Sequence, residues 1–265
     1  MKSRGLRLLA LSFLPLPLLV FSAFAKSDSS VVNLGTAGSY AVLAGSTVTN
    51  TGSSVLTGNL GVSPGCAVTG FPPGSVGGTI NVCNAASGLA QRDLTKAYNV
   101  AMGLSPTSIL TGKDLGGMTL TPGVYFFSSS AQLTGTLTLN NLGNPNALFV
   151  FQIGSTLTTA SSSSVIFSSG LTDKNVFWQV GSSATLGTTT SFQGNILALT
   201  SITMNNAATI GCGSALASTG AVTLNNDVIG GGCSSTSTVP EPGTLGLLGT
   251  GLAILAGAAR RKLRI

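Results

Sequence analysis

The sequence contains no histidine. That absence removes the commonest general base, the base of the usual catalytic triad and the commonest neutral metal ligand. Charge is almost as scarce: 7% of the 265 residues are Asp, Glu, Lys or Arg, against about 25% in an ordinary soluble protein. A formal charge of +6 would point to nucleic acid if it were spread over the chain. It is not. Lys2, Arg4 and Arg7 open the sequence, and Arg260, Arg261, Lys262 and Arg264 close it. Between Lys26 and Val239 five cations (Lys26, Arg92, Lys96, Lys113, Lys174) balance five aspartates (Asp28, Asp93, Asp114, Asp173, Asp227). A neutral middle offers no stripe for tracking phosphates, so no nucleic-acid partner is expected. The aspartates show no paired-carboxylate pattern, and an enzyme is not expected either. With no phosphate loop and no metal-ligand spacing, no cofactor and no metal are expected. What the chain has instead is 36 glycines and 32 threonines.

The two ends read as addresses. Lys2, Arg4 and Arg7 precede an apolar run from Leu8 to Phe21, and Ala23-Phe24-Ala25 follows. This is the layout of a secretory signal peptide over residues 1–25, and Pro15 and Pro17 argue against a buried helix there. The other end reads Pro240-Glu241-Pro242, an uncharged stretch from Thr244 to Ala259, then Arg260-Arg261-Lys262. A helix over 244–259 rises about 24 Å, short of a typical hydrocarbon core of about 30 Å. The order of Pro-Glu-Pro, short apolar segment and arginine cluster resembles the PEP-CTERM sorting signal. That resemblance implies a short transmembrane segment over 244–259 and recognition of the 239–265 tail by an exosortase-type enzyme at the inner membrane. It also implies delivery to the envelope, outer surface or extracellular matrix of a Gram-negative bacterium. Residues 234–238 read as a polar linker.

Four cysteines suit an oxidising compartment. They admit three pairings. The local pairing, Cys66–Cys83 with Cys212–Cys233, closes the shortest loops and is expected. A metal site is the alternative, but neither group has a C-x-x-C spacing and no histidine could complete one.

Residues 26–233 read as one β-rich domain. Short β-branched or aromatic runs, such as Ala147–Ile153 and Asn175–Val180, are broken by Gly, Ser and Asn. Thr134-Gly135-Thr136-Leu137-Thr138-Leu139 alternates, with leucine for one face and threonine for the other. One segment differs. Asn84 to Leu104 carries Leu89, Ala90, Leu94, Ala97, Tyr98 and Ala101 at helical spacing, which predicts an amphipathic helix ended by Gly103 and Pro106. Leu89, Leu94 and Tyr98 are expected to pack on the flank of the β body. A degenerate repeat is also visible. Phe151-Gln152-Ile153-Gly154-Ser155 recurs as Trp178-Gln179-Val180-Gly181-Ser182. A Thr-apolar pair recurs at Thr156-Leu157, Thr185-Leu186, Thr203-Met204 and Thr223-Leu224, in steps of 29, 18 and 20 residues. Steps near 20 suit one turn of a three-sided solenoid whose coils must stack to bury their apolar faces. A β-sandwich is the competing architecture.

Small-residue quartets follow these pairs: Thr159-Ala160-Ser161-Ser162, Thr188-Thr189-Thr190-Ser191 and Asn206-Ala207-Ala208-Thr209, with Thr51-Gly52-Ser53-Ser54 nearer the start. Several longer motifs, among them Gly58-Asn59-Leu60-Gly61-Val62-Ser63-Pro64-Gly65, Thr121-Pro122-Gly123-Val124-Tyr125 and Phe151–Thr158, resemble the microbial ice-binding protein family. The resemblance covers roughly residues 32–230. It implies an all-β fold, a right-handed, discontinuous, triangular β-solenoid with one long helix along its side. It also implies adsorption to ice crystals through a flat face that inhibits their growth or recrystallisation; the body is expected to be a monomer. Family members often carry T-A/G-x-T/N quartets on that face. On this reading Thr51, Ser54, Thr159, Ser162, Thr188, Ser191, Asn206 and Thr209 point outward on one surface.

The physics of such a face is specific. Ice offers a rigid grid of donors and acceptors, and a binder must be flat, rigid and weakly hydrated. Threonine presents a hydroxyl and a methyl and is stiff at χ1 in a strand. A second reading is a structural or adhesive protein of the surface, associated with exopolysaccharide, since Ser/Thr-rich solenoids and a sorting tail suit that role too.

Overall fold

The structure is a computed structural model that describes residues 32–144, 146–168 and 175–230. The expected signal peptide, linker and sorting tail, and Cys233, lie outside these residues. Among the described residues no helix is long and apolar enough to cross a membrane.

Three parallel sheets of nine, seven and eight strands, here A, B and C, form the body. Each turn of the chain gives one strand to each sheet. One coil contributes Phe149–Ile153 to A, Leu157–Thr159 to B and Ser164–Phe167 to C. The next contributes Val176–Val180, Ala184–Leu186 and Ser191–Phe192, each in register with its predecessor. This is the solenoid expected from the repeat, not a sandwich.

The stacking order departs from the chain order. Tyr40–Ala44 of the first coil pairs on one side with Asn59–Val62 and on the other with Ala215–Ala217 of the last coil. The first coil therefore sits inside the stack. The second coil and Ile80–Val82 extend it to one end. The helix Ala85–Gly103 then carries the chain to the other end, where Ser108–Ile109 pairs with Gly123–Phe127, and five coils return.

The helix begins where the sequence places it. Asn84 and Ser87 form a reciprocal cap: the Ser87 backbone N–H donates to Asn84 Oδ1 at 3.0 Å, and Ser87 Oγ accepts from the Asn84 N–H at 3.3 Å. At the other end Gln152 Nε2, projecting from sheet A, donates to the carbonyls of Ala101 and Leu104, both at 2.8 Å. Ala90, Leu94, Ala97, Tyr98 and Ala101 are buried against the outer face of sheet A. Leu89 is not: it is 40% exposed, on the rim of the helix's packed side. Because the helix covers that sheet, Phe149–Ile153 and Val176–Val180 are buried at every position. On the inner side Tyr125, Phe151 and Trp178 lie in register and stack, with ring centroids 5.4 and 3.8 Å apart, and Trp178 continues to Phe192 at 4.8 Å.

Cys66 and Cys83 are joined, as the local pairing requires. The bridge pins the second coil to the strand that leads into the helix. Cys212 is buried at the C–A corner of the last coil.

Candidate functional site

With the helix over sheet A, the outer faces of sheets B and C remain. Among the described residues the charged side chains lie on the helix (Arg92, Asp93, Lys96), on the loop that follows it (Lys113, Asp114) and inside the B–C corner (Asp227). Asp93 binds the turn Gly35–Ser39 to the helix. It accepts from the Thr36 backbone N–H at 3.0 Å and hydroxyl at 2.8 Å and pairs with Lys96 at 3.2 Å, and these contacts hold its carboxyl at about 2. No strand of sheet B or C carries a charge.

The outer face of sheet B is a ladder of threonine. Thr69 pairs in register with Thr49, Thr49 with Thr223, Thr223 with Thr203, Thr203 with Thr185, and Thr185 with Thr158. Rungs about 4.8 Å apart make this file of six about 24 Å long. The neighbours in each strand face inward: Ala184 and Leu186, Ile202 and Met204, Val222 and Leu224 are at most 1% exposed. The period of two thus fixes every threonine outward over a packed core. Among the described residues, none of the six hydroxyls bonds to another protein group.

In sheet C and at the corner some of the hydroxyls bond within the protein. Thr136 and Ser164, neighbours in sheet C, bond to each other at 2.9 Å. That face also exposes Val55, Val228 and Ile166.

The eight residues expected on one surface are divided. Thr51 is exposed at the end of its strand in sheet B, and Ser162, Thr188 and Asn206 are exposed at the B–C corner. Ser191 is exposed and Thr209 half-buried, both in sheet C. Ser54 and Thr159 point inward, contrary to expectation. Ser54 is fully buried and its Oγ accepts from the Asp227 N–H at 2.9 Å. Thr159, 3% exposed, accepts from the Gly187 N–H and meets Thr190 Oγ1, both at 2.9 Å. The reason is register. Thr159 follows outward Thr158, so alternation turns it in. At the corner Ser162, Thr189 and Ala207 all adopt left-handed backbone, with φ of 57°, 56° and 58°. They stack as one position, so Thr188 matches Ser161 and the quartet beginning at Thr159 is displaced by two. The same register corrects the 29-residue step: the rung before Thr185 is Thr158, not Thr156.

Beneath this corner the Asp227 backbone joins the last coil to Ser54 and Val55 of the first, and its carboxylate joins it to the coil before. Asp227 is fully buried, with Oδ1 accepting from the Ala208 N–H at 2.9 Å and Oδ2 from the Asn225 N–H at 2.7 Å. Burial pushes its carboxyl up to about 7, against these two donors, which favour the anion.

Residues 42–230 match the profile of a family described as ice-binding-like. The chain belongs to the ice-binding-like family. A second match, over residues 238–262, is to the PEP-CTERM protein-sorting motif. An ice-binding protein from Nostoc sp. (strain HG1) is 56% identical over 257 residues, covering 94% of this chain and 95% of its own. One from Colwellia is 35% identical, covering 81% and 90%. Among solved ice-binding-like structures, an ice-binding protein from an Antarctic biological consortium superposes with a TM-score of 0.73 at 43% identity, covering 82% of this chain and 95% of that one. Another, from the Antarctic ascomycete Antarctomyces psychrotrophicus, gives 0.72 at 39%, covering 75% and 97%. The threonine ladder runs through the part of the chain that carries the family match, from Thr49 to Thr223.

Proposed function

We propose that this protein binds ice through the outer face of sheet B and inhibits ice growth or recrystallisation by adsorption. The observation that carries the reading is the six-threonine file whose hydroxyls make no bond to protein among the described residues. Each rung offers water one hydroxyl and one methyl at a fixed position. The β-branched side chain holds its rotamer, and the core beneath cannot shift without losing its packing. No charge imposes a competing hydration shell. Water can therefore be ordered along the file before it joins the crystal, and an adsorbed protein forces the ice front to bulge between anchors, which slows growth. The names of the relatives support this reading. Thr51, Thr188 and Asn206 border the face at its corner edge. Ser162 joins that edge through its bond to Thr189 at 3.0 Å. Ser191 and Thr209 belong to the neighbouring face.

The finer assignments are part of the same proposal. The protein is a monomer that acts by adsorption rather than catalysis. Residues 1–25 direct export, and the 239–265 tail, with Pro240, Glu241, Pro242, Arg260 and Arg261, is handled by an exosortase-type enzyme. The sorting-motif match supports that route.

The test is recrystallisation in a frozen sucrose film with the exported protein, its Thr203→Lys variant and a Thr136→Lys control on sheet C. Thr203 is half-buried with no hydroxyl bond among the described residues and Thr136 is exposed with one bond to Ser164, so each change should cost no more than about 1 kcal/mol, recorded as melting temperature. Thr203→Lys should abolish the effect and Thr136→Lys should keep it. No effect from the wild-type protein would refute ice binding and leave the surface-matrix role. Equal loss in both variants would move the face away from sheet B.

A further inference from the structure

The threonine file stops at one end for a visible reason. The strand after Thr158 is Ala131–Leu133, and its outward residue, in register with Thr158, is Gln132. Gln132 is exposed between Ala131 and Leu133, both fully buried, so it occupies the next rung of the ladder. Beyond it Asp114 pairs with Gln132 in a parallel bridge. Asp114 is exposed, and its Oδ1 accepts from the Gly116 and Thr134 backbone N–H groups at 2.7 and 2.9 Å. The order along the face is thus carboxylate, amide, then six threonines.

We propose that Gln132, backed by Asp114, is the boundary of the ice-binding face and limits the length of the ladder. The proposal rests on the sheet B reading. Glutamine differs from threonine in each property that the face requires. Its amide sits at the end of a flexible stem, it has no β-branch to fix a rotamer, and it has both donors and acceptors that hold liquid water in many geometries. The Asp114 carboxylate next to it holds its own hydration shell, which cannot be built into a crystal. Ordered water on the file therefore ends at Thr158. The backbone under Gln132 is already the backbone of the ladder, in register on the Thr158 side and anchored by Leu133 and Ala131. Only the side chain breaks the series.

Replacing Gln132 by threonine should add a seventh rung without altering the fold, since threonine suits an exposed strand position better than glutamine. The experiment compares wild-type protein with Gln132→Thr, Gln132→Lys and Thr203→Lys by recrystallisation and by the ice-growth gap between melting and freezing, with melting temperature recorded for each. Gln132→Thr should lower the concentration for half-maximal inhibition about twofold. Gln132→Lys, placed outside the face, should leave inhibition within about twofold of wild type. Thr203→Lys should lose it. If Thr203→Lys retains full activity, the sheet B reading itself fails. If Thr203→Lys loses activity but Gln132→Thr equals wild type or falls below it, the boundary proposal alone is overturned. It is also overturned if Gln132→Lys loses as much as Thr203→Lys, because Gln132 would then be a contact and not a limit.

Discussion

Thr158 and Thr159 are adjacent, chemically identical and turned to opposite sides of one strand, so valine at each position should give opposite results. Valine keeps the branched shape and removes the hydroxyl. At Thr158 the hydroxyl meets no other protein group among the described residues, so the change should move stability by no more than about 0.5 kcal/mol. At Thr159 the hydroxyl accepts from the Gly187 N–H and pairs with Thr190 Oγ1. Thr190 retains the Ala160 carbonyl at 3.2 Å, but the Gly187 N–H is left buried without an acceptor. That orphaned donor should cost about 1–3 kcal/mol. For a domain of this size each kcal/mol lowers the melting temperature by about 2–4 °C, so Thr159→Val should melt about 2–12 °C earlier. Ice activity, measured near 0 °C where both variants are folded, should fall in Thr158→Val and persist in Thr159→Val. Calorimetry and the sucrose-film assay on the same preparations decide it. Loss of ice activity in Thr159→Val with Thr158→Val unaffected would refute the assignment of the face by strand alternation.

Two further outcomes are expected. The Asp227 carboxyl has a folded value raised to about 7 from an ordinary 3.8, so the folded state holds a proton that the unfolded chain has released. Its contribution is greatest below about pH 4 and is lost as pH rises through 7, by at most about 1.4 kcal/mol per pH unit. Melting temperature should therefore fall between pH 5 and pH 8, and a rise over that interval would contradict the burial of this group. Deleting Val239–Ile265 should change where the protein accumulates while leaving melting temperature and ice activity unchanged; an unfolded product would show that the tail belongs to the domain.

The helix was legible because its signals are local: the spacing of Ala90, Leu94, Ala97 and Ala101 gives one face, and Gly103 and Pro106 end it. Leu89 misled because an apolar residue at the rim of a helical stripe can remain in water. The solenoid was legible from the threonine pairs, and three rungs of the ladder (Thr185, Thr203, Thr223) stood among them. What they shared, an outward position in one sheet, was not visible. The coils differ in length, 27 residues from Thr158 to Thr185 against 18 from Thr185 to Thr203, so aligning by composition slips. The corner is set by left-handed residues that change identity from coil to coil, Ser162, Thr189, Ala207, Asn226 and Gly52, so no single residue type marks it. Thr49 and Thr69 were beyond reach for another reason. They join the ladder because the first coil is inserted against the last, a contact that no local pattern announces.

That insertion sets the order in which the molecule can be assembled. In an ordinary solenoid each coil contacts only its neighbours in the chain. Here the first coil of the solenoid must wait for Ala215–Ala217, Val222–Asn225 and Val228–Ile229, the last strands described, before its open side is covered. Closing contacts that span nearly the whole domain is slow. On the export route that the sorting-motif match suggests, such a delay would suit a translocation channel, which accepts an unfolded thread. The part of the stack that makes the ladder continuous is also the part that keeps the chain from setting until its final coil has been delivered.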